Sequence, residues 1–234
     1  MALGNGYKFI AVSRYGYLRS PIPADASIQS QAALYRDLLD ALHIDRVIVI
    51  GGSAGGPSAT QFANDFPQRV SALILISAVS QATAAGDKPP FYVGIIHLIQ
   101  QSDYAYWLIA KFMRPTLLNL MGVPAATYSA FTDDQKQRAQ QMLDIMHPMS
   151  ARYAGTINDG VMMQRAGPLT ANISAPTLIL HAGNDTLVSF HHAEHAHASI
   201  RQSRLVVFDT GGHGLLSQMP AVRQNIGQFL EQLR

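Results

Sequence analysis

The sequence predicts an α/β protein whose core is a doubly wound, mostly parallel sheet, interrupted by a helical insertion. Three observations lead to this prediction. Short apolar runs alternate with segments of helical periodicity in the first and last thirds of the chain. The stretch from residue 81 to residue 168 breaks that alternation. A glycine-flanked serine, Ser53, stands between one apolar run and a helical segment.

The first expected elements are a strand, a loop and a helix. Tyr7–Ser13 has the apolar character of a strand, and a loop with two prolines follows it. Ser27 is suited to cap a helix, because a serine oxygen can accept a bond from a backbone N–H of the first turn. Three leucines at helical spacing predict the apolar face of this helix: Leu34, Leu38 and Leu42.

Four further apolar runs predict buried strands, and they lack polar alternation, as parallel strands covered on both faces should. These runs are Arg46–Ile50, Ala72–Ile76, Thr177–His181 and Leu205–Phe208. A helix that Pro67 ends follows the first of them, because proline cannot continue a helix. An amphipathic helix over Leu215–Leu233 closes the chain.

Residues 81–168 predict a helical cap inserted into a sheet domain that comprises residues 1–80 and 169–234. Helices are expected near Phe91–Gln101, Asp103–Leu120 and Asp133–His147, and no strand pattern occurs. The last of these helices opens with a capping box formed by Thr132 and Gln135.

The methionines and aromatic residues of the predicted cap have two interpretations. Seven of the nine methionines lie in this stretch. They are either ordinary core packing or the lining of an adaptable apolar pocket. Under the second interpretation, a cavity above Ser53 binds a small-molecule substrate between the following side chains: Trp107, Met113, Met142 and Met146.

Composition excludes several classes of partner and chemistry. The formal net charge is only +2 and no lysine-arginine cluster occurs, so neither nucleic acid nor an acidic membrane surface is an expected partner. The absence of cysteine excludes disulfides, thiol catalysis and thiolate metal sites, and it fits a cytoplasmic protein. No signal peptide and no run of transmembrane length are expected.

Gly51–Gly55, with the sequence GGSAG, has the pattern of a nucleophile elbow. Such a turn between strand and helix holds its serine in a strained backbone conformation and lifts the hydroxyl above the sheet edge. A dinucleotide fingerprint would need glycine at the position of Ser53, and a P-loop would need a lysine near Gly56. Both nucleotide-binding alternatives are therefore excluded.

A serine nucleophile needs a histidine to take its proton and a carboxylate to orient that histidine. Asp185 follows the run Thr177–His181, and His213 follows the run Leu205–Phe208. Because parallel strands end at one edge of a sheet, Ser53, Asp185 and His213 are expected to meet there, with His213 in hydrogen-bond reach of both others.

Other polar residues have simpler interpretations. Asp209 is a rival carboxylate, but it stands too close to His213 in sequence to face it easily. His191 and His195 fall on one helical face, yet solvated histidines explain them better than a metal site does. Asp159 stands in an Asn-Asp-Gly sequence that predicts a turn. No metal is expected.

These segments resemble the α/β-hydrolase superfamily, in its cap-bearing serine-hydrolase branch, from Tyr7 onward. The resemblance implies that Ser53 is the nucleophile, His213 the general base and acid, and Asp185 the orienting acid of a catalytic triad. It also implies that the Ala54 N–H is one oxyanion donor and that no cofactor is needed. A serine at the elbow disfavours the branches of the superfamily that use aspartate there.

The resemblance also has one departure. In the superfamily, a strand and a loop that supplies the second oxyanion N–H precede the segment that here begins at Tyr7. We therefore expect an N-terminally incomplete fold, an isolated or displaced first strand and an incomplete oxyanion hole. Exposed strand edges at such a gap favour association with another copy of the chain.

The sequence thus predicts a serine hydrolase that cleaves a small apolar ester through an acyl-enzyme. A carbon–carbon bond hydrolase, a peptidase, a perhydrolase or an acyltransferase would use the same three residues. The alternative from another class is a catalytically silent or truncated member of the fold that retains a binding role.

Overall fold

The computed structural model describes residues 6–82, 92–165, 170 and 172–233. Within these residues, the centre is a sheet of four parallel strands, in the same order in space as in the chain. The strands are β1 (Val47–Gly52), β2 (Val70–Ile76), β3 (Thr177–Ala182) and β4 (Ser203–Phe208). Because all four are parallel, their carboxyl ends meet at one edge.

The helices of the described residues fall into two groups. Helices α1, α2, α9 and α10 adjoin the strands in sequence, whereas α3 to α8 follow one another within residues 92–165, where no strand forms. The helices are α1 (Ile28–Ala41), α2 (Gly56–Asp65), α3 (Tyr92–Gln100), α4 (Asp103–Phe112), α5 (Arg114–Leu120), α6 (Ala125–Ser129), α7 (Asp133–Ile145), α8 (Ser150–Arg165), α9 (His191–Ser199) and α10 (Met219–Glu231).

Helices cover both faces of the sheet. On one face, Leu73, Leu75 and Ile179 are buried with apolar residues of α1, α2 and α9. On the other face, Ile74 and Leu178 are buried with residues of α10. Successive β2 side chains therefore enter different cores, which is why this strand has no polar alternation. The predicted fold class, a doubly wound parallel sheet, is confirmed.

The first predicted strand is not part of the sheet. Tyr7–Ser13 has no regular secondary structure, and in the described part of the chain β1 pairs only with β2. Three apolar side chains of the segment are largely exposed: Phe9 56%, Ile10 45% and Val12 40%. A strand is stabilised by the ladder of a sheet, and this segment does not join the sheet, although Tyr7 packs against the core between the sheet and α10. The prediction of a strand is wrong, whereas the predicted displacement from β1 agrees with the structure.

Helix α1 begins as predicted but buries a different face. The Ser27 side chain accepts a bond from the Ser30 N–H, so the predicted cap is present. Leu34 and Leu42, however, are 43% and 48% exposed. The buried residues are instead Ile28, Gln31, Ala32 and Leu39. A small residue such as Ala32 allows close packing against α2, so packing rather than leucine content selects the face.

The helices between residues 92 and 165 differ from the prediction in their number and bounds. The expected helix over Asp103–Leu120 is split at Met113, because Pro115 is tolerated in the first turn of α5 but not inside a longer helix. The capping box of Thr132 and Gln135 is present at α7. Helices α6 and α8 were not predicted, and Phe91 lies outside the described residues. The division into a cap and a sheet domain stays a prediction.

The closing helix is shorter than predicted. Gly214 and Leu215 have positive φ angles of 77° and 57°, so α10 begins only at Met219. None of the helices in the described ranges is both long and apolar enough to cross a membrane.

Candidate active site

The turn after β1 places Ser53 in a left-handed conformation with φ of 49°. Close packing surrounds this turn. A Cβ on Gly51 would lie 2.6 Å from the Ala59 Cβ, and one on Gly56 would lie 2.2 Å from the Val79 carbonyl oxygen. The glycines therefore let α2 begin directly against the sheet edge, which fixes the position of Ser53.

The structure brings Ser53, His213 and Asp185 into one hydrogen-bonded chain. His213 Nε2 lies 3.0 Å from Ser53 Oγ, and His213 Nδ1 lies 2.9 Å from Asp185 Oδ2. An ionised carboxylate only accepts, so Nδ1 carries the proton and Nε2 is left to accept from the serine hydroxyl. The three residues follow β1, β4 and β3, as expected from parallel strands that end at one edge.

Asp185 is held in its ionised form by its surroundings. Its Oδ1 accepts from the backbone N–H groups of Leu187 and Val188, each at 2.9 Å. Burial alone would raise the pKa of Asp185, but the bond and charge of His213, with the two backbone donors, lower it below its ordinary value. Asp209, the rival carboxylate, is exposed, and the carboxylate beside the imidazole is Asp185.

The loop that carries His213 is fixed by three backbone bonds. The Gly212 N–H donates to Asn184 Oδ1 at 2.9 Å, the His213 N–H to the Gly122 carbonyl at 2.7 Å, and the Gly214 N–H to Ser77 Oγ at 3.2 Å. Bonds before, at and after His213 leave its imidazole little freedom to turn away from Ser53.

Gly122 and Asn184 hold the loop that carries His213, and neither was predicted from the sequence. Gly122 has φ of 82°, and a Cβ there would lie 2.7 Å from the His213 Cβ. The Asn184 side chain also donates from Nδ2 to Thr127 Oγ1 at 2.9 Å. Residues between α5 and α7 thus contact the loops of both His213 and Asp185. Asn184 could have been suspected because it precedes Asp185, whereas no local pattern distinguishes Gly122.

Two further histidines lie near the site, of which His181 is buried and His192 is half-buried. His181 Nε2 donates to the Val188 carbonyl at 2.9 Å and lies 3.6 Å from Asp185 Oδ2. The Ser80 N–H donates to His192 Nδ1 at 3.2 Å. Burial is the main cause that lowers the pKa of both histidines, so both are neutral at pH 7.

The histidine-rich helix α9 does not assemble a metal site in the part of the chain that the structure describes. No three His, Asp or Glu side chains there lie close enough together to hold an ion. His191 Nδ1 instead pairs with Glu194 Oε2 at 2.7 Å on the exposed surface.

Asp159 lies inside α8 rather than in a turn, which corrects the sequence prediction. Arg14 Nε donates to its Oδ1 at 3.2 Å, Arg14 Nη2 donates to Oδ2, and Tyr17 Oη donates to Oδ2 at 2.6 Å. Burial alone would lower the pKa of Arg14, but the bond and charge of Asp159 outweigh it and raise the pKa. Burial, reinforced by the charge of Asp159, raises the pKa of Tyr17 to about 12. This cluster joins the loop before α1 to α8.

Two adjoining cavities lie beside the elbow. The first, here called the neck cavity, has a volume of about 20 Å³, and its lining includes Arg14, Gln31, Ala54 and Asn158. The second, here called the loop groove, has a volume of about 430 Å³ and lies between residues 22–29 and α8.

The four predicted pocket residues lie elsewhere. Trp107 is 42% exposed and stacks on Tyr104, and Met113 is 51% exposed. Met142 and Met146 pack against a buried cluster to which α3, α4, α5 and α7 contribute, where long flexible side chains fill the gaps between helices. None of the four lines the neck cavity or the loop groove.

Ala54 directly follows Ser53 in a 3-10 turn, Ser53–Gly55, at whose start backbone N–H groups have no intrahelical acceptor. Its role as an oxyanion donor, and the predicted lack of a second backbone donor, stay predictions.

Comparison with known proteins identifies relatives of the whole fold. The family model described as alpha/beta hydrolase fold matches residues 2–219. The chain is 30% identical over 214 residues to the 2-hydroxy-6-oxononadienedioate/2-hydroxy-6-oxononatrienedioate hydrolase of Paraburkholderia xenovorans strain LB400, over 89% of this chain and 70% of that protein.

Solved structures with the same fold are also similar to this chain. An alpha/beta hydrolase fold protein from Nakamurella multipartita is similar with a TM-score of 0.62 and 26% identity, over 93% of this chain and 80% of that one. A thermophilic esterase from Thermogutta terrifontis is similar with a TM-score of 0.67 over 93% of this chain and 77% of that one, and its 23% identity supports the shared fold alone. From its parallel sheet, its elbow turn and the family match over residues 2–219, the chain belongs to the α/β-hydrolase family.

Proposed function

We propose that the chain is a serine hydrolase that cleaves a small, largely apolar ester through an acyl-enzyme. The observation that carries the proposal is the hydrogen-bonded chain from Ser53 Oγ through His213 to the buried Asp185. The positive φ of Ser53 supports it, since backbone strain of this kind is concentrated at functional sites. Membership of a hydrolase family supports it further.

In the proposed reaction, Ser53 Oγ attacks the ester carbonyl carbon while His213 Nε2 takes the hydroxyl proton. Asp185 stabilises the imidazolium, and the Ala54 N–H donates to the developing oxyanion. The intermediate collapses when His213 returns the proton to the leaving alcohol. Water then attacks the acyl-enzyme by the same steps, releasing the acid and restoring Ser53.

We further propose that residues 81–168 act as a cap over the site. The contacts of Gly122 with His213 and of Thr127 with Asn184 support this role. An element that packs on the catalytic loops can limit the access of water and substrate to Ser53.

A second candidate activity is hydrolysis of a carbon–carbon bond. It is favoured by the relative at 30% identity, whose name states a hydrolase of 2-hydroxy-6-oxo dienedioates. The same serine, histidine and aspartate would serve it, so turnover of such a substrate against simple esters distinguishes the two activities.

Labelling with a fluorophosphonate probe tests the proposed nucleophile. We expect one probe per chain, attached at Ser53, and no labelling of Ser53→Ala. A folded sample that stays unlabelled would instead favour the silent, binding member of the fold. A panel of 4-nitrophenyl esters with acyl chains of two to twelve carbons then measures the preferred chain length.

A further inference from the structure

The loop groove and the neck cavity adjoin each other. Five residues line both of them: Ala26, Ser27, Ile28, Asn158 and Met162. The neck cavity also reaches Ala54, the residue after Ser53. The neck cavity therefore lies between the loop groove and the turn that carries Ser53.

The loop groove has the volume of a small-molecule site, and apolar side chains along it can contact the tail of an acyl chain. Its volume of about 430 Å³ falls in the range of small-molecule pockets. Its apolar lining residues are Ile22, Pro23, Ala24, Ala26, Ile28, Val161 and Met162, and Asp25, Ser27, Gln29 and Asn158 add a polar surface of similar extent. Asp25 is the charged residue of this lining, so the groove disfavours an anion.

The neck cavity holds an unused hydrogen-bond donor. Gln31 lines it and is only 4% exposed. The Tyr15 N–H donates to Gln31 Oε1 at 2.9 Å, which fixes the orientation of the amide. Among the described residues, the buried Gln31 Nε2 has no acceptor. A buried donor without an acceptor is unfavourable, so this atom gains from any acceptor that enters the cavity.

The volume and charge of the neck cavity limit what that acceptor can be. About 20 Å³ is room for one atom of the size of a water oxygen. Arg14 also lines the cavity, but its charge is balanced by Asp159. Arg14 is already paired with Asp159, so it does not offset the charge of a second carboxylate, which Asp159 would repel. An uncharged oxygen therefore fits the neck cavity better.

We propose that the loop groove and the neck cavity together form the acyl-binding subsite of the enzyme. The subsite takes the apolar tail of the acyl chain in the groove and an uncharged acceptor oxygen, close to the scissile carbonyl, at Gln31 Nε2. This inference rests on the proposed function and adds to it the class of substrate: esters of medium-length acids with an ether, keto or hydroxyl oxygen near the carbonyl.

The test compares 4-nitrophenyl butoxyacetate with 4-nitrophenyl heptanoate, which have acyl chains of the same length with and without the oxygen. The readout is the ratio of their kcat/KM values in each variant, because the different intrinsic reactivities of the two esters cancel when ratios are compared. Gln31→Glu keeps an acceptor for the Tyr15 N–H and removes the donor, and Gln31→Met removes both. We expect the preference for butoxyacetate to fall by roughly tenfold in both variants. An unchanged ratio in both would overturn the role of Gln31.

Binding separates this inference from the proposed hydrolysis. The N-methyl amides of the two acids are titrated against the wild-type chain and Gln31→Glu by isothermal calorimetry. Tighter binding of the butoxy amide, lost in Gln31→Glu, supports the subsite even if no ester is turned over. Turnover of both esters with equal affinity for both amides supports the hydrolase and overturns the subsite.

A bulky substitution tests the groove itself. Val161→Trp narrows the loop groove, whereas Ile157→Trp, one turn earlier on α8 and similarly exposed (37% against 38%), lies outside both linings. We expect Val161→Trp to lower kcat/KM for the heptanoate at least tenfold with little effect on the acetate, and Ile157→Trp to spare both. Equal effects of the two substitutions would show that the acyl chain lies elsewhere.

Discussion

At the scale of single residues, Ser53 has an unfavourable backbone conformation that its neighbours enforce. A φ of 49° is disfavoured for a residue with a Cβ by roughly 1–3 kcal/mol. The close packing of Gly51 and Gly56 leaves the turn no room to relax. The serine hydroxyl is therefore presented to His213 at the expense of stability.

Replacing Ser53 by glycine or by alanine separates the strain from the chemistry. Both variants lose the hydroxyl, and we expect both to lose at least ~10³-fold in kcat. Only glycine relieves the strain, so Ser53→Gly should be more stable than Ser53→Ala by about 1 kcal/mol in urea unfolding. Equal stabilities would mean that the turn is not strained.

Asp185 is expected to act through the imidazole it orients. In Asp185→Asn, an amide replaces the carboxylate that accepts the bond from His213 Nδ1. The amide can donate to Nδ1, which favours the tautomer with its proton on Nε2, so we expect kcat to fall by about 10⁴-fold. Asp209→Asn, at an exposed carboxylate in the same region, is the matched control and should keep nearly full activity. Loss of activity in the control instead would reverse the assignment of the acid.

At the scale of elements, the segment from the end of α5 through α6 contacts the site although it lies far from His213 in sequence. The Gly122 carbonyl accepts the His213 N–H, and Thr127 contacts Asn184. The loop that carries His213 is thus held from the sheet side by Ser77 and from the helical side by Gly122.

Gly122→Ala should therefore impair the site without touching a reacting atom. The new Cβ would lie 2.6 Å from the Leu187 Cβ and 2.7 Å from the His213 Cβ, at a φ that alanine disfavours. We expect kcat/KM to fall by about 10- to 100-fold, because a shift of a reacting group by about 1 Å is enough to cause such a loss. We also expect the free energy of unfolding to fall by about 1 kcal/mol or more.

The control for this substitution is Gly227→Ala in α10, where an added Cβ meets no atom within 4 Å. Alanine is the better helix former, so this variant should be unchanged in activity and as stable as the wild type or slightly more stable. If Gly122→Ala behaves like the control, the contact with His213 does not position the imidazole.

At the scale of the whole molecule, three titratable groups at or near the site have a lowered pKa: Asp185, His181 and His192. Burial lowers the pKa values of His181 and His192 below the ordinary value of 6.5, and the bond to His213 with the other donors lowers the pKa of Asp185. In each case the unfolded chain binds a proton more readily than the folded chain.

Stability should consequently fall as the pH is lowered. The two histidines make the free energy of unfolding depend on pH between about pH 6.5, their ordinary pKa, and their lower pKa values in the folded chain. In this window each histidine lowers the free energy of unfolding by at most about 1.4 kcal/mol for each pH unit that the pH falls. The contribution of Asp185 is lost only below about pH 3.8. Urea unfolding at pH 7.5, 6.5 and 5.5 measures the first window.

His192→Gln should reduce this pH slope, because glutamine takes up no proton on unfolding. His191→Gln, at a side chain that is 82% exposed, is the matched control and should keep the slope. A slope that is the same in wild type and His192→Gln would show that His192 is not buried as a neutral group.

Much of the fold was predictable because it depends on local chemistry. The runs Ala72–Ile76 and Thr177–His181 are apolar throughout, and only a strand covered on both faces buries such a run. The elbow, the Ser27 cap and the Thr132 capping box depend on residues within a few positions of one another, so their patterns were sufficient. The meeting of Ser53, Asp185 and His213 followed from the common direction of their strands.

The rest was decided by tertiary contacts that no local pattern encodes. Tyr7–Ser13 has the composition of a strand but no sheet neighbour, and the buried face of α1 was selected by its packing on α2 rather than by its leucines. Asp159 has the local sequence of a turn residue, yet it lies inside α8, where it pairs with Arg14, 145 positions away. The sequence by itself determined where the four strands and the elbow turn lie along the chain, because apolar runs and turn chemistry are short-ranged. Only the tertiary structure decided which surfaces enclose the site, because packing joins residues that are distant in the chain.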